Sequence, residues 1–158
     1  MKQLKHDWNW LEDYLSVHEA VIGRFQQYMI TSNSYSHKWF NSEYLELSIS
    51  FTLRTHQGAL VNVSIMKDVE VKSLVPSKGK KTGRRRARTE AYTYVAYRSG
   101  QGCLLRYCSP HDRLFDKSSD HHEFHHKHDF TSGQEIITRT GDNWPHVDDF
   151  LSEVMSRL

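Results

Sequence analysis

The chain has 158 residues, 25% of them charged and 12% aromatic, with a formal net charge of only +2. This is the composition of one globular domain over residues 1–158, large enough to bury roughly two thirds of its unfolded surface, and it excludes a disordered chain. No run of about 18 apolar residues is present, which excludes a membrane-spanning helix, and two cysteines, Cys103 and Cys108, are too few for a disulfide framework, which points to a reducing cytoplasm.

Asp7 can cap a helix that runs to about Ile30. Trp8, Leu11, Leu15, His18, Ile22, Phe25 and Met29 recur at three- and four-residue spacing, one helical stripe, and Trp10, Tyr14, Val17 and Val21 widen it. His18 interrupts this stripe and reads as a hydrogen-bonded core histidine. Residues 31–42 are polar and read as a connection. The period then changes to two. Leu45, Leu47, Ile49, Phe51 and Leu53 face one way and Glu46, Ser48, Ser50, Thr52 and Arg54 the other, the clearest strand of the chain. His56-Gln57-Gly58 supplies a turn, and Ala59, Val61, Val63 and Ile65 return as the second arm of a hairpin, with the parity continuing loosely to Val69 and Val71.

A break in composition follows at about 76–89. Lys78, Lys80, Lys81, Arg84, Arg85, Arg86 and Arg88 are seven basic residues in eleven positions, without an acid among them. The remainder of the chain is therefore acidic. Gly79 and Gly83 argue for a flexible loop whose self-repulsion a polyanion would relieve, so these seven are the candidate nucleic-acid contacts, to phosphate and without sequence specificity. A merely solvated excursion is the plainer account.

Glu90 to Arg98 regains strand character, Ser99 to Gly102 turns, and Cys103 to Cys108 returns, with Arg106 on one face beside Leu104 and Cys108 and with Tyr107 on the other. A polar stretch over 109–122 carries His111 and Asp112. Then comes the most unusual segment, Asp120-His121-His122-Glu123-Phe124-His125-His126-Lys127-His128-Asp129-Phe130. As a strand it sets Phe124, His126, His128 and Phe130 at the wall of a cleft and Glu123, His125, Lys127 and Asp129 toward solvent. Gln134 to Thr138 adds a short strand. Asp142 or Asn143 caps a last helix with Pro145 in its first turn and with Val147, Phe150, Leu151, Val154 and Leu158 as its apolar face. The expected fold class is α+β: a long N-terminal helix, a mainly antiparallel sheet of four to five strands and a C-terminal helix, the helices on one face.

Histidine titrates near neutrality, which suits it to acid–base work on RNA. A base must take the ribose 2′-hydroxyl proton, an acid must protonate the leaving oxygen, and a cation must stabilise the phosphorane. Histidines His111, His126 and His128 suit the first two tasks, and Arg106 or Lys127 the third. No metal or other cofactor is required in this reading. Three others compete. His126 and His128, with His122, His111 or Cys108, could hold zinc or another transition metal. Cys108 could be a nucleophile. The basic stretch could bind nucleic acid with the histidines as plain surface residues on a polar edge strand.

From Tyr92 to Leu158 the chain resembles the TumE family of bacterial toxins. The resemblance is carried by Tyr92-Thr93-Tyr94, by Leu105-Arg106-Tyr107, by Pro110-His111 and by His125-His126-Lys127-His128 ahead of an amphipathic helix. Cys108 and Ser109 stand where the family has Asp and Asn, the stretch between Pro110 and Phe124 is longer than is typical, and the N-terminal helix carries little of the likeness. The resemblance implies a growth-inhibiting toxin in the cytoplasm, neutralised by a helix-turn-helix antitoxin, with Arg106, His126, Lys127 and His128 in the motif. By analogy the fold is similar to the compact RelE/barnase-like ribonuclease toxins. The expected function is therefore a metal-independent endoribonuclease toxin acting on RNA, with self-association left open. The alternative is a non-catalytic nucleic-acid- or partner-binding protein of a toxin–antitoxin or mobile-element locus.

Overall fold

The computed structural model describes residues 7–73, 84–110, 124–141 and 144–158. It is an α+β fold. In chain order the elements are β1 (Asn9–Trp10), α1 (Leu11–Phe25), a 3₁₀ turn (Gln26–Tyr28), β2 (Ser34–Trp39), β3 (Tyr44–Arg54), β4 (Leu60–Ser73), β5 (Arg85–Arg98), β6 (Gly102–Cys108), β7 (His126–Asp129), β8 (Ile136–Arg139) and α2 (Val147–Arg157). Strands β2 to β8 pair in sequence order as one antiparallel sheet, and β1 pairs with β5. The sheet is thus larger than the expected four or five strands.

The alternation read in β3 decides the core. Leu45, Leu47, Ile49, Phe51 and Leu53 are all buried, and Val61, Val63, Ile65, Val69 and Val71 of β4 lie beside them. Each such side chain contributes about 1.5–3 kcal/mol by leaving water. Gly58, at φ 82, lets the chain reverse between the two strands, and Thr55 N–H donates to Ala59 O at 2.9 Å. Tyr92, Tyr94, Leu105 and Tyr107 continue the same face across β5 and β6. Both helices cover this face. Phe150 of α2 meets the rings of Tyr94 and Tyr107, and Tyr14 of α1 hydrogen-bonds Thr89 of β5.

Several expectations change. Helix α1 starts at Leu11 because Asn9 and Trp10 are taken up as a strand against Ala87 and Arg86. It ends at Phe25, since the chain tightens into the 3₁₀ turn and Ile30 N–H then donates to Thr52 O at 2.8 Å. The expected connection over 31–42 contains edge strand β2, paired with β3 from Ser34↔Ser50 to Trp39↔Leu45. Its polar side chains suit an edge whose outer side stays in water. The basic stretch is shorter as a loop than expected, because Arg85, Arg86 and Arg88 lie within β5 and pair with Ser73, Lys72 and Glu70. Helix α2 is capped by His146, whose backbone N–H donates to the Asp149 carboxylate at 2.9 Å, so Pro145 precedes the cap. Lys78, Lys80, Lys81 and His111, together with the expected caps Asp142 and Asn143, lie outside the described residues. Among the described residues no helix is long and apolar enough to cross a membrane.

One position breaks the apolar pattern. Lys67 occupies a helix-side place in β4 between Ile65 and Val69 and is 2% exposed. Its ammonium lies 5.8 Å from the Tyr14 ring centroid and 5.6 Å from that of Tyr94. Burial pulls its pKa from 10.5 down to about 7, and Asp148 opposes the shift. His18, 5.5 Å from His146 ring to ring, is held well below its usual range, chiefly by burial and then by the Lys67 charge.

Candidate functional site

The sheet face turned away from the helices carries the site. Register fixes its members. Arg106 of β6 is the direct partner of His128 on β7, and Cys108 is the partner of His126. Because alternate residues share a face, Arg106, Cys108, His126 and His128 stand together on the side away from the helices. The structure thus brings together three of the expected catalytic residues, Arg106, His126 and His128.

It separates the fourth. Lys127 points to the opposite face, where its ammonium donates to Glu153 Oε1 of α2 at 2.8 Å. The expectation that this face is solvated fails for the same reason. Tyr107 also hydrogen-bonds Glu153, Arg157 bridges Glu153 and Asp129 at 2.7 Å each, and His125 is buried against Tyr92 and Trp144. The odd-numbered residues of β7 match the charges of α2, Lys127 against the acidic Glu153 and Asp129 against the basic Arg157. Lys127 holds the strand to the helix.

Arg106, Cys108 and His128 line a cavity of about 580 Å³ with Glu46, Asp68 and Thr93 among its other walls. His128 is 4% exposed, and its Nδ1–H donates to Glu135 Oε1 at 2.6 Å. A carboxylate on Nδ1 fixes the ring and leaves the lone pair on Nε2. His126 lies behind it, its ring 5.0 Å from that of His128 and its Nδ1–H donating to Phe124 O at 2.7 Å. Burial pushes the Cys108 thiol up, while the charge and hydrogen bond of Arg106 pull it down. Arg106 Nε is buried with no acceptor among the described residues. Such a donor costs about 1–3 kcal/mol when left unmet, so the fold holds it ready for an acceptor that enters the cavity.

Glu46 and Asp68 are direct cross-strand partners on β3 and β4, and they set two carboxylates on the wall across from the cationic residues. Sequence reasoning missed both, and Glu135 too. The alternation in β3 already put Glu46 on the polar face. What was lacking was the β3–β4 register that sets Asp68 opposite. For Glu135 the signal was a turn, Thr131 to Gly133, that folds the chain back beside His128.

The same face extends toward the start of β5. Here Arg84 lies 3.8 Å and Arg86 4.9 Å from the Trp10 ring centroid, and Arg88 4.6 Å from Trp8. Arg85, 4.7 Å from Trp39, has the opposite parity and belongs to the helix side. Arg88 is also paired with Glu70 at 2.7 Å. A guanidinium over an indole ring combines cation–π attraction with donors suited to phosphate oxygens. Glu90 is the extra residue where the β4–β5 register shifts, so Arg86 and Arg88 remain on the face that Thr93 and Arg106 occupy further on.

No protein-family model, no curated protein and no solved structure matches the chain.

Proposed function

We propose that the chain is an RNA-cleaving toxin that acts in the cytoplasm without a metal, through Arg106 and His128 on the face of the sheet away from the helices. The observation that carries this reading is the pairing of Arg106 with His128 across two strands, at the wall of one cavity, with His128 Nδ1 held by Glu135. A phosphodiester seated there would take the Arg106 guanidinium on its non-bridging oxygens, which answers the unmet Nε donor. A carboxylate from Glu46 or Asp68 takes the 2′-hydroxyl proton, and His128, protonated at Nε2 when it meets the substrate, gives that proton to the leaving 5′-oxygen. The 2′-hydroxyl oxygen forms its bond to phosphorus as the 5′-oxygen bond breaks, giving a 2′,3′-cyclic phosphate and a 5′-hydroxyl end.

His126 supports the His128 ring from behind and is a positioning residue. The acid–base contribution of a histidine is about 10²–10⁴-fold, and a fixed cation at the developing charge contributes about 10²–10³-fold. The arginine–tryptophan surface along β5 supports a path for the strand leading to the cavity, since it offers both charge and stacking. The TumE-like pattern of Arg106, His126 and His128 supports the toxin half of the reading and a helix-turn-helix antitoxin as partner.

The test is tightly controlled expression in a bacterial culture, beside an Arg106→Ala/His128→Ala variant of equal abundance. Growth arrest by the native chain alone, with new 2′,3′-cyclic phosphate ends in its RNA, is the expected result. Arrest by both chains overturns the roles assigned to Arg106 and His128. The arginine–tryptophan surface favours one other reading, a nucleic-acid-binding protein without catalysis. In that case RNA is retained but left whole, and replacing Arg84, Arg85 and Arg86 together removes retention, while His128→Ala leaves it unchanged.

A further inference from the structure

The face away from the helices holds a second chemistry on the same residues. We infer that Cys108, His126 and His128 form a binding site for a transition metal ion of the zinc class, and that an ion there switches off the proposed cleavage by occupying His128. The second half rests on the function proposed above, whereas the first does not.

Four observations converge. The three side chains are all buried, and their ligand-type atoms lie within 4.8 Å of one another. Donors around a tetrahedral zinc ion are about 3.3–3.8 Å apart, given Zn–S near 2.3 Å and Zn–N near 2.0–2.1 Å, so a pair as far as 4.8 Å apart must close by about 1–1.5 Å, less than about 1 Å for each atom when the two share it. The ligands are also rigidly based. His126 and His128 are two apart on one face of β7, and Cys108 is the cross-strand partner of His126 on β6. Backbone hydrogen bonds therefore set the spacing of all three, and no loop has to order for the site to form.

The outer hydrogen bonds are those a metal site needs. His126 donates Nδ1–H to Phe124 O at 2.7 Å, and His128 donates Nδ1–H to Glu135 Oε1 at 2.6 Å. Each ring is thereby fixed as the tautomer whose lone pair is on Nε2, and partners of this kind orient and strengthen imidazole ligands. Finally, Arg106 beside the sulfur opposes the dominant upward pull of burial on the Cys108 thiol, and Glu135, bonded to the His128 ring, offsets the repulsion between Arg106 and a dication. Cys108 and His128 both line the cavity, so the fourth position of the ion opens toward it.

One thiolate and two imidazoles select zinc, cobalt or copper over magnesium and calcium, which take oxygen ligands. On binding, the S–H bond of Cys108 breaks, sulfur donates its electron pair to the ion, and the proton leaves to buffer, with no change of oxidation state. The ion also occupies the His128 nitrogen that the cleavage reaction uses for its proton. One imidazole cannot do both.

The experiment takes the purified full chain, freed of metal with a chelator, and titrates it with Co²⁺ alone. Expected are visible bands of tetrahedral cobalt and a near-ultraviolet thiolate-to-cobalt band that saturate together at one ion per chain, and that Zn²⁺ bleaches. Cys108→Ser removes the near-ultraviolet band, Cys103→Ser keeps it, and Glu135→Ala weakens binding about 10–100-fold. Circular dichroism shows that each variant is folded. Absence of the thiolate band in the native chain, or its survival in folded Cys108→Ser, overturns the site. Cleavage of RNA is then measured with Zn²⁺ at saturation and again after excess chelator. Loss and recovery are expected, and undiminished cleavage at saturating Zn²⁺ overturns the switch. Cobalt binding is read without RNA, so a chain that binds the ion and cleaves nothing refutes the proposed function and leaves the metal site standing.

Discussion

Replacing Lys67 by methionine should stabilise the chain, and by an amount that falls as pH rises. The ammonium sits in the core under both helices, and burial pulls its pKa from 10.5 to about 7. The unfolded chain keeps this proton up to about pH 10.5, whereas the folded chain releases it near 7. Between these values the unfolded state holds more protons, so stability rises with pH through that window and is flat below it. The ionisation penalty is about 4 kcal/mol at pH 7 and about 2 kcal/mol at pH 9, at about 1.4 kcal/mol per unit. Methionine has a similar length and no charge to desolvate, but it gives up the contacts to Tyr14 and Tyr94, worth about 0.5–2 kcal/mol each. Lys67→Met should therefore gain roughly 2 kcal/mol at pH 7, and its advantage should shrink by about 2 kcal/mol at pH 9. Of the groups that face Lys67, His18 of α1 and His146 before α2 are lowered by burial and then by Lys67 itself, so the substitution alters them as well, and the comparison is read between pH 7 and 9, above the ordinary histidine value of 6.5. Tyr14 and Tyr94 are raised by burial, and the Asp148 carboxyl is common to both chains. Urea unfolding of the two proteins at pH 6, 7, 8 and 9 gives the comparison. Equal pH dependence in both proteins refutes the argument, as does a Lys67→Met chain that is less stable at every pH.

Other consequences follow from the same packing. Asp129 is pushed up by desolvation, but hydrogen bonds from Thr131 and Arg157 outweigh this and hold it at about 2, against 3.8 ordinarily. Its contribution is present above pH 3.8 and is lost as pH falls through 2, so Asp129→Asn should cost on the order of 1 kcal/mol at pH 6 and almost nothing at pH 2, as read by thermal unfolding. Phe150→Ala, which empties the contact between α2 and the rings of Tyr94 and Tyr107, should cost about 3–5 kcal/mol in urea. Lys127→Ala should lose stability but keep RNA cleavage near the native rate, because its ammonium serves Glu153 on the far face. A drop in rate as large as that of Arg106→Ala would contradict this placement. Replacing Arg84 and Arg86 with glutamine should flatten the dependence of single-stranded RNA binding on log salt by about 1, as measured by fluorescence anisotropy, and an unchanged slope would remove the arginine–tryptophan surface from the binding path.

The core strands were legible because period-two alternation is a strong signal when one face is buried. Leu45 to Leu53 shows this, and so does the apolar face of the last helix from Val147 to Leu158. Strand β2 is easily passed over, because its alternation is carried by Tyr35, His37 and Trp39 between Ser34, Ser36 and Lys38, a period-two pattern without an aliphatic residue. The arginines of β5 looked like loop because charge hid their pairing with Lys72 and Glu70. Lys67 is harder still. Its place between Ile65 and Val69 is visible in the sequence, but only the surrounding tyrosines make a core lysine tenable. At the site, parity correctly put His126 and His128 together and Lys127 apart from them. Lys127 falls among the candidate residues despite that parity, and the structure sets it on the opposite face against Glu153. Glu46, Asp68 and Glu135 come from distant strands or from across a turn, and register alone reveals them.

The most direct test of the proposed function uses the purified chain, in excess chelator, with single-stranded RNA. Native protein, Arg106→Ala and His128→Ala are compared, and the ends of the products are identified. The account predicts cleavage by the native chain to 2′,3′-cyclic phosphate and 5′-hydroxyl ends, slower by at least about 100-fold in either variant. Intact RNA with the native chain contradicts it. So does equal cleavage by all three proteins.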